Sequence, residues 1–109
     1  MMSIRGSVVL YVMEGGTRAA KIHISKSPFV IGRNRAAVDY YFDGCIDRSI
    51  SRIHFQISFN DGSIFVTDRQ SSGGTFLNSR KLAPNIPYTL RNGDKIKIGK
   101  RELLFEVAY

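Results

Sequence analysis

The sequence predicts an all-β sandwich of about eleven short strands, on three observations. No long segment of the 109 residues repeats apolar positions at helical spacing. Short runs rich in Val, Ile, Phe and Tyr alternate apolar with polar residues. Gly, Asn and Asp punctuate those runs at turn spacing. Many short strands joined by turn chemistry make a sandwich.

Taken in order, Ser7–Met13 (SVVLYVM) is the first strand, and Gly15–Gly16 turns it into a hairpin with Thr17–Ser25, where Ile22 and Ile24 share a face. His23 alternates with them and faces solvent. Pro28 opens the strand Pro28–Gly32. Val38–Phe42 alternates Val38, Tyr40 and Phe42 against Asp39 and Tyr41. Ile53–Phe59 sets Phe55, Ile57 and Phe59 on one face, and Asn60–Asp61–Gly62 returns it into Ser63–Asp68. Thr75–Leu77 and Arg80–Leu82 are short strands about Asn78–Ser79. Asn92–Gly93–Asp94 turns into Lys95–Gly99, with Ile96 and Ile98 together. Glu102–Val107 closes the chain with Leu103, Phe105 and Val107 aligned. Gly99, in the last hairpin, either admits a close ligand or simply makes the turn.

One domain is expected at this length, with a core over roughly residues 8–107. It is read as a monomer and as an N-terminal piece of something longer. Hydrophobic residues at 43% exclude a disordered tail. The single cysteine, Cys45, cannot form an internal disulfide, and no run is long enough for a signal peptide or a membrane span. An intracellular site, cytoplasmic or nuclear, without membrane attachment is the expectation. Sixteen Lys and Arg against nine Asp and Glu leave a net charge of +7, which favours anionic partners.

Three connections resist the strand pattern: Gly32–Ala37, Asp43–Arg52 and Asp68–Gly74. They are rich in Arg, Ser and Gly. Loops gather at the ends of a sandwich, so segments distant in sequence can meet there. Guanidinium forks, hydroxyls and accessible backbone N–H groups are what a phosphate dianion needs.

Other chemistry is poorly supplied. Ser51, His54, Asp47 and Asp68 are the parts of a hydrolytic triad, but no G-x-S-x-G elbow is present. A strand starting near Ile53 would send His54 across the sheet, away from Ser51. His23, His54 and Cys45 have no metal-ligand spacing, and neither nucleotide-binding glycine motif occurs. A non-catalytic domain with no cofactor or metal is expected.

Gly32–Arg33 after a strand, then Ser51–Arg52–Ile53–His54, then Gly74–Thr75–Phe76–Leu77–Asn78, and last Gly93–Asp94 before Lys95–Gly99 resemble the forkhead-associated (FHA) domain over nearly the whole chain. The resemblance implies a sandwich of eleven strands whose loops at one end bind phosphothreonine peptides. Carried over, Arg33 contacts the phosphopeptide, Ser51 donates its hydroxyl to the phosphate, Arg52 adds a contact, and Ser72 lines the phosphothreonine pocket. Gly32, His54, Thr75 and Asn78 support the site, and Gly32 is read as needing a backbone conformation that other residues disfavour. One departure stands out: Gly73 occupies the place of a family asparagine that grips the peptide main chain. Ser49, or Arg48 beside it, stands where some members select the third residue after the phosphothreonine. The implied function is recruitment of phosphorylated protein partners in signalling. Two alternatives stay open: a basic sandwich that stacks nucleic-acid bases on Tyr11, Tyr41 or Tyr109, and a phosphate-independent scaffold.

Overall fold

The computed structural model describes residues 7–43 and 48–108; Cys45, Asp47 and Tyr109 lie outside them. The described residues contain eleven strands: β1 Ser7–Glu14, β2 Thr17–His23, β3 Phe29–Gly32, β4 Tyr40–Tyr41, β5 Phe55–Asn60, β6 Ser63–Asp68, β7 Thr75–Leu77, β8 Arg80–Lys81, β9 Tyr88–Thr89, β10 Lys95–Ile98 and β11 Arg101–Ala108. They form a six-stranded sheet, β2-β1-β11-β10-β7-β8, and a five-stranded sheet, β4-β3-β5-β6-β9. No helix among them is long and apolar enough to cross a membrane.

The core is the period-two pattern folded inward. Val8, Leu10 and Val12 of β1, Ile96 and Ile98 of β10, and Leu103 and Phe105 of β11 come from one sheet. Phe29, Ile31, Phe55, Ile57, Ile64 and Val66 come from the other. Each such side chain contributes about 1.5–3 kcal/mol on leaving water. Two hairpins close as their residues dictate. Gly15–Gly16 (φ 58° and 79°) and Asp61–Gly62 (φ 50° and 81°) are two-residue turns with both residues left-handed, the geometry that matches strand twist.

Several boundaries differ from the sequence reading. β2 ends at His23, although Ile24 still donates to the Val8 carbonyl at 2.9 Å. The run Val38–Phe42 contributes only β4, because its partner β3 runs parallel and pairs at two positions, Ile31 with Tyr40 and Gly32 with Tyr41. β5 starts at Phe55, not Ile53, and the unanticipated β9 pairs with β6.

Register sets the two ends of the sandwich. Ser7 faces Ala108 at one end of the β1–β11 ladder and Met13 faces Glu102 at the other. Ile98, just before the turn into β11, faces Thr75. The segment entering β7 therefore sits at the end away from Ser7 and Ala108. Asp39 anchors the connection from β3 to β4: its carboxylate accepts the Val30 N–H at 2.8 Å and meets the Lys26 ammonium at 3.0 Å. The Val30 bond, then Lys26, hold its pKa below the usual value despite partial desolvation.

Candidate functional site

The three polar connections meet in one cleft of about 420 Å³, lined by Arg33, Asn34, Ser51, Arg52, Ile53, Gln70 and Ser72. Its floor is the crossing of two backbones. The Arg52 carbonyl accepts N–H bonds from Arg33 at 3.0 Å and Asn34 at 3.1 Å, and His54 N–H reaches the Ile31 carbonyl at 2.9 Å. A Cβ on Gly32 would lie 2.1 Å from the Arg52 carbonyl oxygen. The sequence reading assigned Gly32 a backbone conformation that other residues disfavour. That is corrected: its φ is not among the positive ones, and the requirement is space.

Arg33 is half-buried and donates from Nε to the carbonyl of the buried Ile50 at 2.9 Å. That bond uses Nε and leaves the terminal N–H groups of this cleft-lining residue out of it. Arg52 is exposed. No carboxylate among the described residues pairs with either arginine.

Ser51 is held from both sides. Its backbone N–H donates to His54 Nδ1 at 3.0 Å, and its Oγ accepts the Ser72 N–H at 2.9 Å and lies 3.3 Å from Ser72 Oγ. Since Nδ1 accepts, Nε2 carries the imidazole proton and donates to the Gly74 carbonyl at 2.9 Å. His54 is fully buried and thus ties Ser51 to Gly74. The sequence reading put His54 out of reach of Ser51; it reaches the backbone N–H, and the hydroxyl faces Ser72 instead. A nucleophile–base pair needs the hydroxyl on the imidazole, and this arrangement does not provide it.

Asp68 is the support the sequence reading missed. Buried at 2% exposure, it accepts Thr75 Oγ1 at 2.7 Å and Ser71 Oγ at 2.5 Å on Oδ1, and the Ser71 N–H at 3.3 Å on Oδ2. The β6–β7 connection is thereby braced from inside. Thr75 is fully buried in this brace.

Arg33, Ser51, Arg52 and Ser72 are brought together; Gly73 is exposed beside the cleft without lining it. Arg48 and Ser49 are exposed and do not line it either. Asn34 and Gln70 line it unannounced by the sequence. Asn34 Oδ1 accepts the Ala36 N–H at 3.1 Å, which leaves its amide donors for the cleft. Asn78 lies elsewhere: its Oδ1 accepts the Lys95 N–H at 2.9 Å and its Nδ2 donates to Asp94 at 3.0 Å, tying β7 to β10. It borders a larger hollow of about 700 Å³ on the outer face of the six-stranded sheet, with Met13, Phe76 and Leu104. Lys95, Lys97 and Glu102 supply the charge there, and no arginine lines it. The convergence of arginines with hydroxyls belongs to the smaller cleft.

Comparison with known proteins agrees with the fold. The FHA domain model matches residues 29–99. An oxoglutarate dehydrogenase inhibitor of Corynebacterium efficiens is 32% identical over 100 residues, covering 92% of this chain and 66% of that protein. Its counterpart in Corynebacterium glutamicum is 31% identical, covering 92% and 65%. The chain thus spans slightly under two-thirds of the length of these relatives. The solution structure of an Arabidopsis thaliana FHA domain superposes with a TM-score of 0.83 at 27% identity, covering 95% of this chain and 87% of that one. With more than half of its length matched by the family model and its two sheets folded as in that structure, the chain belongs to the FHA domain family of phosphopeptide-binding signalling modules.

Proposed function

We propose that the cleft reads phosphothreonine in a protein partner and recruits that partner without catalysis. The observation that carries this is the convergence of Arg33, Arg52, Ser51 and Ser72 on one cleft with no carboxylate pairing either arginine among the described residues. A phosphoryl group brings about −1.5 to −2 charge and three acceptor oxygens, which two guanidiniums and a hydroxyl satisfy. Ile53, the aliphatic wall of the cleft, suits the methyl group that separates threonine from serine. The Corynebacterium relatives are named for inhibiting an enzyme, which favours a protein partner over a small molecule.

The test is an oriented phosphothreonine peptide library against the pure chain, with each peptide's unphosphorylated twin. A matched peptide is expected to bind at about −8 kcal/mol or weaker, in the micromolar range, and its twin near background. Arg33→Ala should cost roughly 1.5–3 kcal/mol. Arg33→Lys should also weaken binding, because an ammonium lacks the planar fork. Equal calorimetric affinity of wild type and Arg33→Ala would remove Arg33 from the site. The nucleic-acid alternative needs exposed rings in a row. Of Tyr11 and Tyr41, only Tyr41 is exposed, and the Arg18 guanidinium sits 4.1 Å from the centre of the Tyr11 ring. Tight RNA or DNA binding with a steep salt slope and no phosphopeptide binding would favour that alternative.

Gly73 gives a second test. Its φ is not positive, and a Cβ there would meet nothing nearer than the Ser49 carbonyl oxygen at 3.5 Å. An asparagine fits, and its amide can donate to and accept from a peptide main chain. Gly73→Asn should leave the melting temperature unchanged and tighten phosphopeptide binding by up to about tenfold. A normally folded variant that binds no tighter, alongside an inactive Arg33→Ala, would mean that the main-chain grip is already complete.

A further inference from the structure

The β6–β7 connection and the first residue of β7 carry three hydroxyls between them, and they differ in their commitments. Ser71 Oγ is bonded to the buried Asp68 at 2.5 Å, and Thr75 Oγ1 to the same carboxylate at 2.7 Å. Ser72 is exposed, and its Oγ lies 3.3 Å from Ser51 Oγ inside the cleft that Arg33 and Arg52 line. Its backbone N–H, bonded to Ser51 Oγ at 2.9 Å, fixes that direction. Gly73 and Gly74 follow it.

We infer that Ser72 is a phosphorylation site whose phosphate turns into the cleft beside Arg33 and Arg52 and closes it to phosphopeptides. The inference rests on reading the cleft as a phosphate site, and adds its regulation. A protein kinase supplies the group from ATP. A P–O bond forms at Ser72 Oγ, and the bond from the γ-phosphorus to the bridging oxygen breaks, its electron pair leaving on ADP. The hydroxyl proton passes to the kinase's base. The new dianion then acts twice. It occupies guanidinium donors that no carboxylate among the described residues holds, as a tethered group at high effective concentration. It also repels the dianion of an incoming peptide.

The test uses the full chain with phosphoserine encoded at position 72. The probe is the best phosphothreonine peptide from the library. Its Kd should rise by about tenfold or more on modification. Phosphorus NMR reads the second arm without a peptide. The second ionisation of phosphoserine, ordinarily near pH ~6, should fall well below that value and return toward it in Arg33→Ala. Unchanged peptide affinity in the modified protein overturns the inference. So does an ordinary titration that Arg33→Ala leaves alone. If the unmodified chain ignores every phosphothreonine peptide, the proposed function fails, and the phosphorus titration by itself decides whether the Ser72 phosphate enters the cleft.

Discussion

Gly32→Ala is expected to cost about 3 kcal/mol or more, at the upper end of overpacking substitutions. The added Cβ would lie 2.1 Å from the Arg52 carbonyl oxygen, 2.8 Å from its carbon and 3.0 Å from Ile53 Cα, all of them backbone atoms. Neither segment can give way cheaply. The Arg52 carbonyl holds the Arg33 and Asn34 N–H groups, and the Gly32 carbonyl holds the Phe42 N–H at 2.9 Å. A domain of this size loses about 4–8 °C per kcal/mol, so thermal unfolding should shift down by about 12 °C or more. Binding should fail with it, because Arg33 and Arg52 stand on the two sides of the displaced contact. Gly73→Ala is the control and should melt like wild type. A Gly32→Ala domain that melts within a degree or two of wild type would show that the crossing is looser than its geometry.

His54→Ala should be the next most damaging change. It orphans the Ser51 N–H and the Gly74 carbonyl together. Each unpaired buried group costs about 1–3 kcal/mol, so a loss near 3 kcal/mol is expected in denaturant unfolding. Peptide affinity should fall as well, since one end of the tie, Ser51, lines the cleft and the other, Gly74, closes the loop that carries Ser72. Ser51→Ala should behave in the opposite way. The Ser72 N–H it leaves belongs to an exposed residue that water can serve, so stability should hold while calorimetric affinity drops. Stable His54→Ala beside unstable Ser51→Ala would reverse both assignments.

Most of the sandwich is written in alternation, because a strand half-buried against a second sheet must show it. Leu10 and Val12, Phe55 and Ile57, and Leu103 and Phe105 carry it plainly. β9 carries none: it has two residues, lies at a sheet edge and follows Pro87, a residue tolerated only there. β4 was overestimated because Phe42 is buried without being in a strand, packing edge-on to Tyr40 at 5.3 Å. The cleft was legible in the connections that break the pattern, which supply Arg33, Ser51, Arg52 and Ser72. The reason for Gly32 was not, since its neighbour Arg52 becomes adjacent only through folding. Asp68 reads in sequence as one more acid, and only the fold shows which hydroxyls reach it. Gln70 stands at φ 56°, a conformation that glutamine does not advertise.

The pairing of Ser7 with Ala108 has a mechanical meaning. Tension carried through the chain enters and leaves at one corner of the six-stranded sheet. It opens the β1–β11 ladder one hydrogen-bonded pair at a time, as a zipper parts, instead of shearing all the pairs together. The pairs loaded first are those at the end away from Thr75 and the loop that carries Ser72. A gentle pull peels the base of the domain while the cleft at its far end keeps its shape.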